Sequence, residues 1–214
     1  WDKCIDVLGR ALGLARSPAE AAEIHFRTGR ALAEGRDDAA GAEAEYEKAV
    51  AADPTHAGAL DSIERRARDL DQSDTLASVL EKRLRHERDP LKRLPLCKEI
   101  VGLYTNELGR PEAAELFLEE AASLAPDDIG VQVALGDMHY AAGRTQEAEA
   151  RYNGIVGGRK GKRSKELAHV FTRLGAITEE RGDLATAVGY YDEALKLDAT
   201  HAPTLGSLGR LAMA

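Results

Sequence analysis

The residues of this 214-residue sequence with the most chemistry to offer are six histidines, two cysteines and one basic run. Histidine and cysteine bind metals, or act as base and nucleophile, only where spacing brings them together. His25, His56, His86, His139, His169 and His201 do not cluster, and no two have the spacing of a zinc site on one helix turn. Cys4 and Cys97 lie far apart; two cysteines make neither a disulfide framework nor a metal site by themselves. They fit a reducing, cytoplasmic compartment. No serine sits in a Gly-x-Ser-x-Gly turn, and no Cys-His signature of a nucleophile appears. Carboxylates are many but fall at helical surface spacing beside basic residues, as at Glu43, Glu45, Glu47 and Lys48. The segment 157–164 looks superficially like a phosphate-binding loop. It fails because Val156 stands where the first Gly belongs and Arg163 where a Ser or Thr would hold the metal. The expectation is a chain without catalysis, metal or cofactor.

The basic run is the sharpest charge feature. Arg159, Lys160, Lys162, Arg163 and Lys165 carry +5 in a chain whose net charge is −8. Such a run could meet an acidic partner, a phosphorylated peptide or nucleic acid. The plainer reading, a solvated connection between helices, is the expectation, and the acidic balance of the whole chain argues against a dedicated nucleic-acid binder. Binding of phosphates by all five would give a salt slope of about −4.5.

The elements that would position these residues are helices. Thirty-seven residues are Ala, the best helix former, and only 5% are aromatic, few for a β-sandwich or barrel. An apolar fraction of 43% is too high for a disordered chain, and no apolar run reaches the length of a membrane span. Landmarks recur along the chain. Gly29, Gly102, Gly136, Gly175 and Gly209 open similar stretches, and a second Gly follows at Gly35, Gly109, Gly143 and Gly182. Ala42, Ala114, Ala148 and Ala187 come next, and four residues on stand Tyr46, Leu118, Tyr152 and Tyr191. Ala49, Ala121 and Ala194 follow, then Pro54 and Pro126. Small residues let helices cross closely, the bulky residue one turn on fills the gap, and the second Gly suits a left-handed helix cap.

This pattern resembles the tetratricopeptide repeat, with its 34-residue period and its Gly, Ala, aromatic and Pro landmarks. It is weakest at 57–89, where Leu76 and Arg83 replace small residues. The resemblance implies an all-α, right-handed superhelical solenoid of stacked antiparallel helix pairs over 1–214. Twelve helices are predicted, at 2–16, 19–34, 38–52, 55–70, 73–88, 91–108, 111–124, 128–142, 145–156, 164–181, 184–197 and 201–213. Full repeats would cover 19–54, 55–90, 91–126, 127–163 and 164–199. Residues 1–16 would be the second helix, and 200–214 the first helix, of truncated repeats, as in a piece of a longer protein. Twenty Arg against nine Lys fits a GC-rich, bacterial genome.

In that family, first helices line a concave surface that binds a peptide or protein segment. Carried onto this sequence, the candidates are Arg27, Arg30 and Glu34, then Asp61, Arg65 and Arg68, then Glu99 and Asn106. Farther along they are Asp137 and Tyr140, then Thr172 and Glu179. One subset of the family grips chaperone C-termini with Lys and Asn. Here the matching residues are Phe26, Arg30, Asp61, Arg65, Glu99 and Leu103, so that activity is not expected. Arg30, Arg65 and Arg68 could hold a carboxylate, or could pair with Asp61, Asp69 and Glu34 on their own repeats. The leading function is a non-catalytic scaffold with a protein or peptide partner. The alternative is a structural or regulatory spacer of a larger protein. Self-association through Leu205, Leu208 and Met213 is a third possibility.

Overall fold

The computed structural model describes residues 1–158 and 165–213. These form twelve α-helices, and no strand occurs among the described residues. They are α1 Asp2–Leu12, α2 Pro18–Arg36, α3 Ala39–Ala52, α4 Ala57–Asp69, α5 Ser73–His86 and α6 Pro90–Gly102. After them come α7 Glu115–Leu124, α8 Ile129–Ala141, α9 Thr145–Gly158, α10 Glu166–Glu180, α11 Leu184–Leu197 and α12 Ala202–Met213. A π-helical turn, Leu103–Glu107, extends α6, and a 3₁₀ turn, Pro111–Ala114, leads into α7. No described helix is long and apolar enough to cross a membrane.

Local chemistry explains the helix ends. The Ser17 hydroxyl, in extended backbone before Pro18, accepts from the Glu20 N–H at 3.1 Å. A residue before proline avoids the helical region, which fits the extended Ser17; α1 itself stops at Leu12 rather than at 16. Asp38, Asp128 and Asp183 cap α3, α8 and α11 in the same manner. Each such cap contributes about 1 kcal/mol. Gly109, Gly143 and Gly182 take φ values of +61°, +73° and +84°, as expected of the second Gly of each unit.

Gly35 departs from that expectation. It lies inside α2, and Asp37 takes the left-handed position at φ 52°; Asp71 does the same after α4. Aspartate tolerates this region better than most residues. Gly35 is needed for another reason: a Cβ there would collide with the Trp1 side chain.

The chain divides into two compact units, Trp1–Arg110 and Pro111–Ala214. In the first, α1 packs on α2, α2 pairs with α3, α3 meets α4, α4 pairs with α5, and α5 meets α6. Its core gathers Tyr46, Val50, Leu60, Ile63 and Val79, with Phe26 and Leu32 against them. The α4–α5 pair forms although its small residues are out of pattern: Leu76 and Ala77 are both buried, and Leu80 and Leu84 are the large side chains along the same face. In the second unit, α7 meets α8, α8 pairs with α9 and α10 with α11; α9 packs on α10, and α12 on α10 and α11. Its core gathers Tyr152, Ile155, Leu167, Val170, Leu174 and Ile177. Leu205 and Met213 of α12 are exposed, whereas Thr204 and Ser207 are its buried residues.

One contact recurs in both units. Gly29, Gly136 and Gly175 each lie against a tyrosine of the following helix. A Cβ would stand 2.6 Å from the Tyr46 ring, 2.5 Å from Tyr152 and 2.5 Å from Tyr191. Such spacing excludes any side chain, so these helices carry a glycine despite its poor propensity.

Candidate functional site

In the first unit, residues three or four apart along α2 and α4 face one another. Phe26, Arg30 and Ala33 come from α2, and Gly58, Ser62 and Arg65 from α4. They border a cleft of about 750 Å³, into which Tyr46 of α3 also faces. Gly58 has no Cβ because the Phe26 ring occupies that space, 2.7 Å from where the Cβ would stand. Phe26 also lies 5.8 Å from Tyr46 and 5.0 Å from His56, ring centre to ring centre. An aromatic wall therefore meets a polar rim.

The charges on this face are mostly spoken for. Arg27 pairs with Glu23 at 2.5 Å, and Arg30 with Glu34 at 2.9 Å. Arg68 bridges Glu64 at 2.8 Å and Glu99 at 2.6 Å. Hydrogen bonds to Glu99, then Glu64, hold the Arg68 guanidinium pKa above its ordinary value. Asp61, which also borders the cleft, is bonded by Arg83. Arg83 in turn lies 2.8 Å from Glu64. Of the pairings open in the sequence, Arg30 with Glu34 forms, whereas Asp61 is met by Arg83 and Arg68 by Glu64 and Glu99. Arg65 is exposed and forms no ion pair among the described residues. Asn106 is exposed on the π-helical turn.

The second unit brings together a different set. Asp137 accepts from the Tyr152 hydroxyl at 2.7 Å, from Arg173 Nε at 2.7 Å and from His169 Nε2 at 2.8 Å. Burial raises the Asp137 pKa, but the bonds from His169 and Tyr152 outweigh it and hold the carboxyl below the usual range. The Arg173 guanidinium lies 5.1 Å over the Tyr140 ring, whose hydroxyl donates to Glu180. Burial, then Glu180, pushes Tyr140 up to about 12. Glu179 accepts from the Tyr191 hydroxyl at 2.6 Å, and burial followed by this bond pushes Tyr191 up to about 12. Asp137, Tyr140 and Glu179 are thus tied into the unit's own bonds.

Thr172 does not stand as a surface candidate. It is buried, donates to the Ala168 carbonyl at 2.8 Å and meets the Thr204 hydroxyl at 2.6 Å. A threonine in a helix faces a neighbouring element as readily as solvent, and spacing alone does not separate the two. Of the basic run, Arg159, Lys160, Lys162 and Arg163 lie outside the described residues; Lys165 is exposed just before α10.

Four histidines, His25, His56, His169 and His201, make bonds that hold structure. His56 Nδ1 accepts from the Ala59 N–H at 3.1 Å and so caps α4. His25 meets Glu45 at 2.7 Å, and His201 meets Thr204 at 2.7 Å. His139 is buried, and its Nδ1 has no hydrogen-bond partner among the described residues. No metal-holding group of His, Cys, Asp and Glu occurs among them.

Sequence reasoning left Ala33, Ser62 and Tyr46 out of the site. Tyr46 comes from a second helix and reaches the cleft past Gly29, and its spacing in the sequence signals packing alone. A further cleft, of about 550 Å³, opens between the start of α4, the end of α5 and α6. Leu60, His86, Leu91 and Leu96 line it, and nothing in the repeat pattern points to it.

Comparison with known proteins places these features in context. Two family models described as tetratricopeptide repeat match residues 5–57 and 106–159, together half of the chain. No curated protein matches the sequence. Among similar solved structures, YrrB, described as a TPR protein with an unusual peptide-binding site, is 18% identical with a TM-score of 0.57. The match covers 94% of this chain and 97% of YrrB. PilF of Pseudomonas aeruginosa is 17% identical with a TM-score of 0.52, over 95% of this chain and 86% of PilF. The C-terminal part of a TPR repeat-containing protein from Cytophaga hutchinsonii is 18% identical with a TM-score of 0.53, over 87% of this chain and 73% of the other. At these identities the likeness is one of fold.

Proposed function

Because this chain belongs to the tetratricopeptide-repeat family, we propose that it is a non-catalytic scaffold whose concave face, formed by first helices, binds a peptide or protein segment. The family's fold is a general platform for protein interaction, and stacked helix pairs present long, rigid surfaces. The observation that carries the reading is the α2–α4 cleft of about 750 Å³, walled by Phe26 and bordered by the unpaired Arg65. A mixed apolar and charged rim suits recognition of an extended segment, with electrostatics setting specificity. Around this centre, Arg27, Arg30, Asp61, Arg68 and Glu99 belong to the same face. Asn106, Asp137, Tyr140 and Glu179 are the proposed contacts farther along the chain.

Site-specific photocrosslinking tests this. A photoreactive residue at Ser62 in the cleft is compared with one at Glu47 on α3, each with and without Arg65→Glu. Arg65 is the suitable target because reversing Arg68 would put a third carboxylate beside Glu64 and Glu99. A partner captured at Ser62 and not at Glu47, with capture falling about tenfold in Arg65→Glu at unchanged helicity, is the expected outcome. Equal capture at both positions, or capture indifferent to Arg65→Glu, overturns the cleft as the binding centre.

A further inference from the structure

The turn before α12 repeats the turn before α4: Asp53-Pro-Thr-His56 in one, Asp198-Ala-Thr-His201 in the other. Each Asp accepts from the Thr two residues on. What faces each histidine differs. Glu23 of α2, six residues before Gly29, meets His56 Nε2 at 3.2 Å. Six residues before Gly175 stands His169 of α10, whose ring lies 6.3 Å from that of His201, centre to centre. A proton gained by His56 makes an ion pair; one gained by His201 faces a second imidazole.

The bonds around His201 show where that proton goes. The Thr172 hydroxyl donates to the Ala168 carbonyl at 2.8 Å. Its 2.6 Å bond with Thr204 is therefore donated by Thr204. His201 Nδ1, 2.7 Å from the Thr204 oxygen, must then carry its own hydrogen. The free lone pair, and the added proton, belong to Nε2, which has no acceptor among the described residues.

His169 Nε2 donates to Asp137 at 2.8 Å, so its ring can gain a proton at Nδ1 without losing that bond. Arg173 of α10 and Tyr152 of α9 donate to the same carboxylate. The groups facing His201 are His169 and Asp198 at the end of α11; the first turn of α12 carries no acid. Burial, then His169, holds the His201 ring below its ordinary value, against the opposing pull of Asp198. The buried residues of α12 are Thr204 and Ser207, both polar, so this network is a main attachment of the helix.

We propose that His169 and His201 form a pH-sensitive latch, which fastens the start of α12 to α10 while the rings are neutral and releases it when both gain protons. Neutral His201 stabilises the docked helix. That contribution is present above the unfolded histidine value of about 6.5 and is lost as pH falls through the lower folded one. A cation at the N-terminus of α12 is also opposed by the helix dipole.

Amide hydrogen exchange, expressed as protection relative to intrinsic rates, tests this at about pH 7.5 and about pH 5, either side of that value. Protection across α12 should fall about tenfold, while α4, behind His56, keeps its protection. His201→Asn keeps a neutral donor to Thr204 and should abolish the fall. His169→Gln keeps a donor to Asp137, cannot gain a proton, and should recover most of the lost protection. Should His201→Asn leave α12 unprotected at both pH values, the comparison of His169→Gln with the parent decides. Equal protection of α12 at both values, or a fall shared by α4, overturns the latch. So does a fall as large as the parent's in either variant.

Discussion

Asp137 links three helices through single side-chain bonds, to Tyr152 of α9 and to His169 and Arg173 of α10. Its folded pKa lies below its unfolded value, so its ionised form stabilises the fold. That contribution is complete above the unfolded carboxyl pKa of about 3.9 and is lost as pH falls through the lower folded value. Asp137→Asn should therefore cost about 1.5–3 kcal/mol at pH 7, the range for hydrogen bonds to a charged group. Urea unfolding at pH 7 and pH 3 measures it: the gap between variant and parent should shrink at the lower pH. A gap independent of pH would show that shape rather than charge is what Asp137 provides. At this scale the sequence displayed the residue as a candidate but not its partners. Those lie 15 to 36 residues away along the chain.

Among elements, close packing and helix propensity compete at each helical glycine. Gly175 of α10 and Gly189 of α11 make the comparison within one helix pair. A Cβ at Gly175 would meet the Tyr191 ring at 2.5 Å, whereas a Cβ at Gly189 meets nothing within 4 Å. Alanine gains up to about 1 kcal/mol of propensity at either site. At Gly175 overpacking of about 1–3 kcal/mol outweighs that gain. Gly175→Ala should lower the thermal midpoint and Gly189→Ala should raise it. The same sign for both would mean that the helix pair relaxes around the added methyl. The Gly-Ala-Tyr landmarks made this packing legible in sequence, because each is set by a neighbour within one helix pair. The exception at 57–89 has the same cause: Leu80 and Leu84 bury the face without a tyrosine.

For the whole molecule, contacts divide at Arg110 and Pro111 into two units, each with its own core. In repeat proteins, stability is a sum of unit terms and nearest-neighbour terms. Residues 111–214 expressed alone should therefore fold, with helical circular dichroism and a cooperative melt. A chain that stays unfolded alone would show that its stability is drawn from the rest of the array.

By itself the sequence determined the helices and their family, because caps, left-handed glycines and small-residue crossings are decided within a few turns of chain. Ser17 before Pro18 and the glycines at 109, 143 and 182 are visible without coordinates. Only the tertiary structure decided which charges remain for a partner. Arg30, Arg65 and Arg68 look equivalent in sequence. Glu99, 31 residues away, occupies Arg68; Glu34, one turn away, occupies Arg30; Arg65 meets neither. The cleft has the same origin: Phe26 and Arg30 of α2, Tyr46 of α3 and Ser62 and Arg65 of α4 border one space only once their helices have packed.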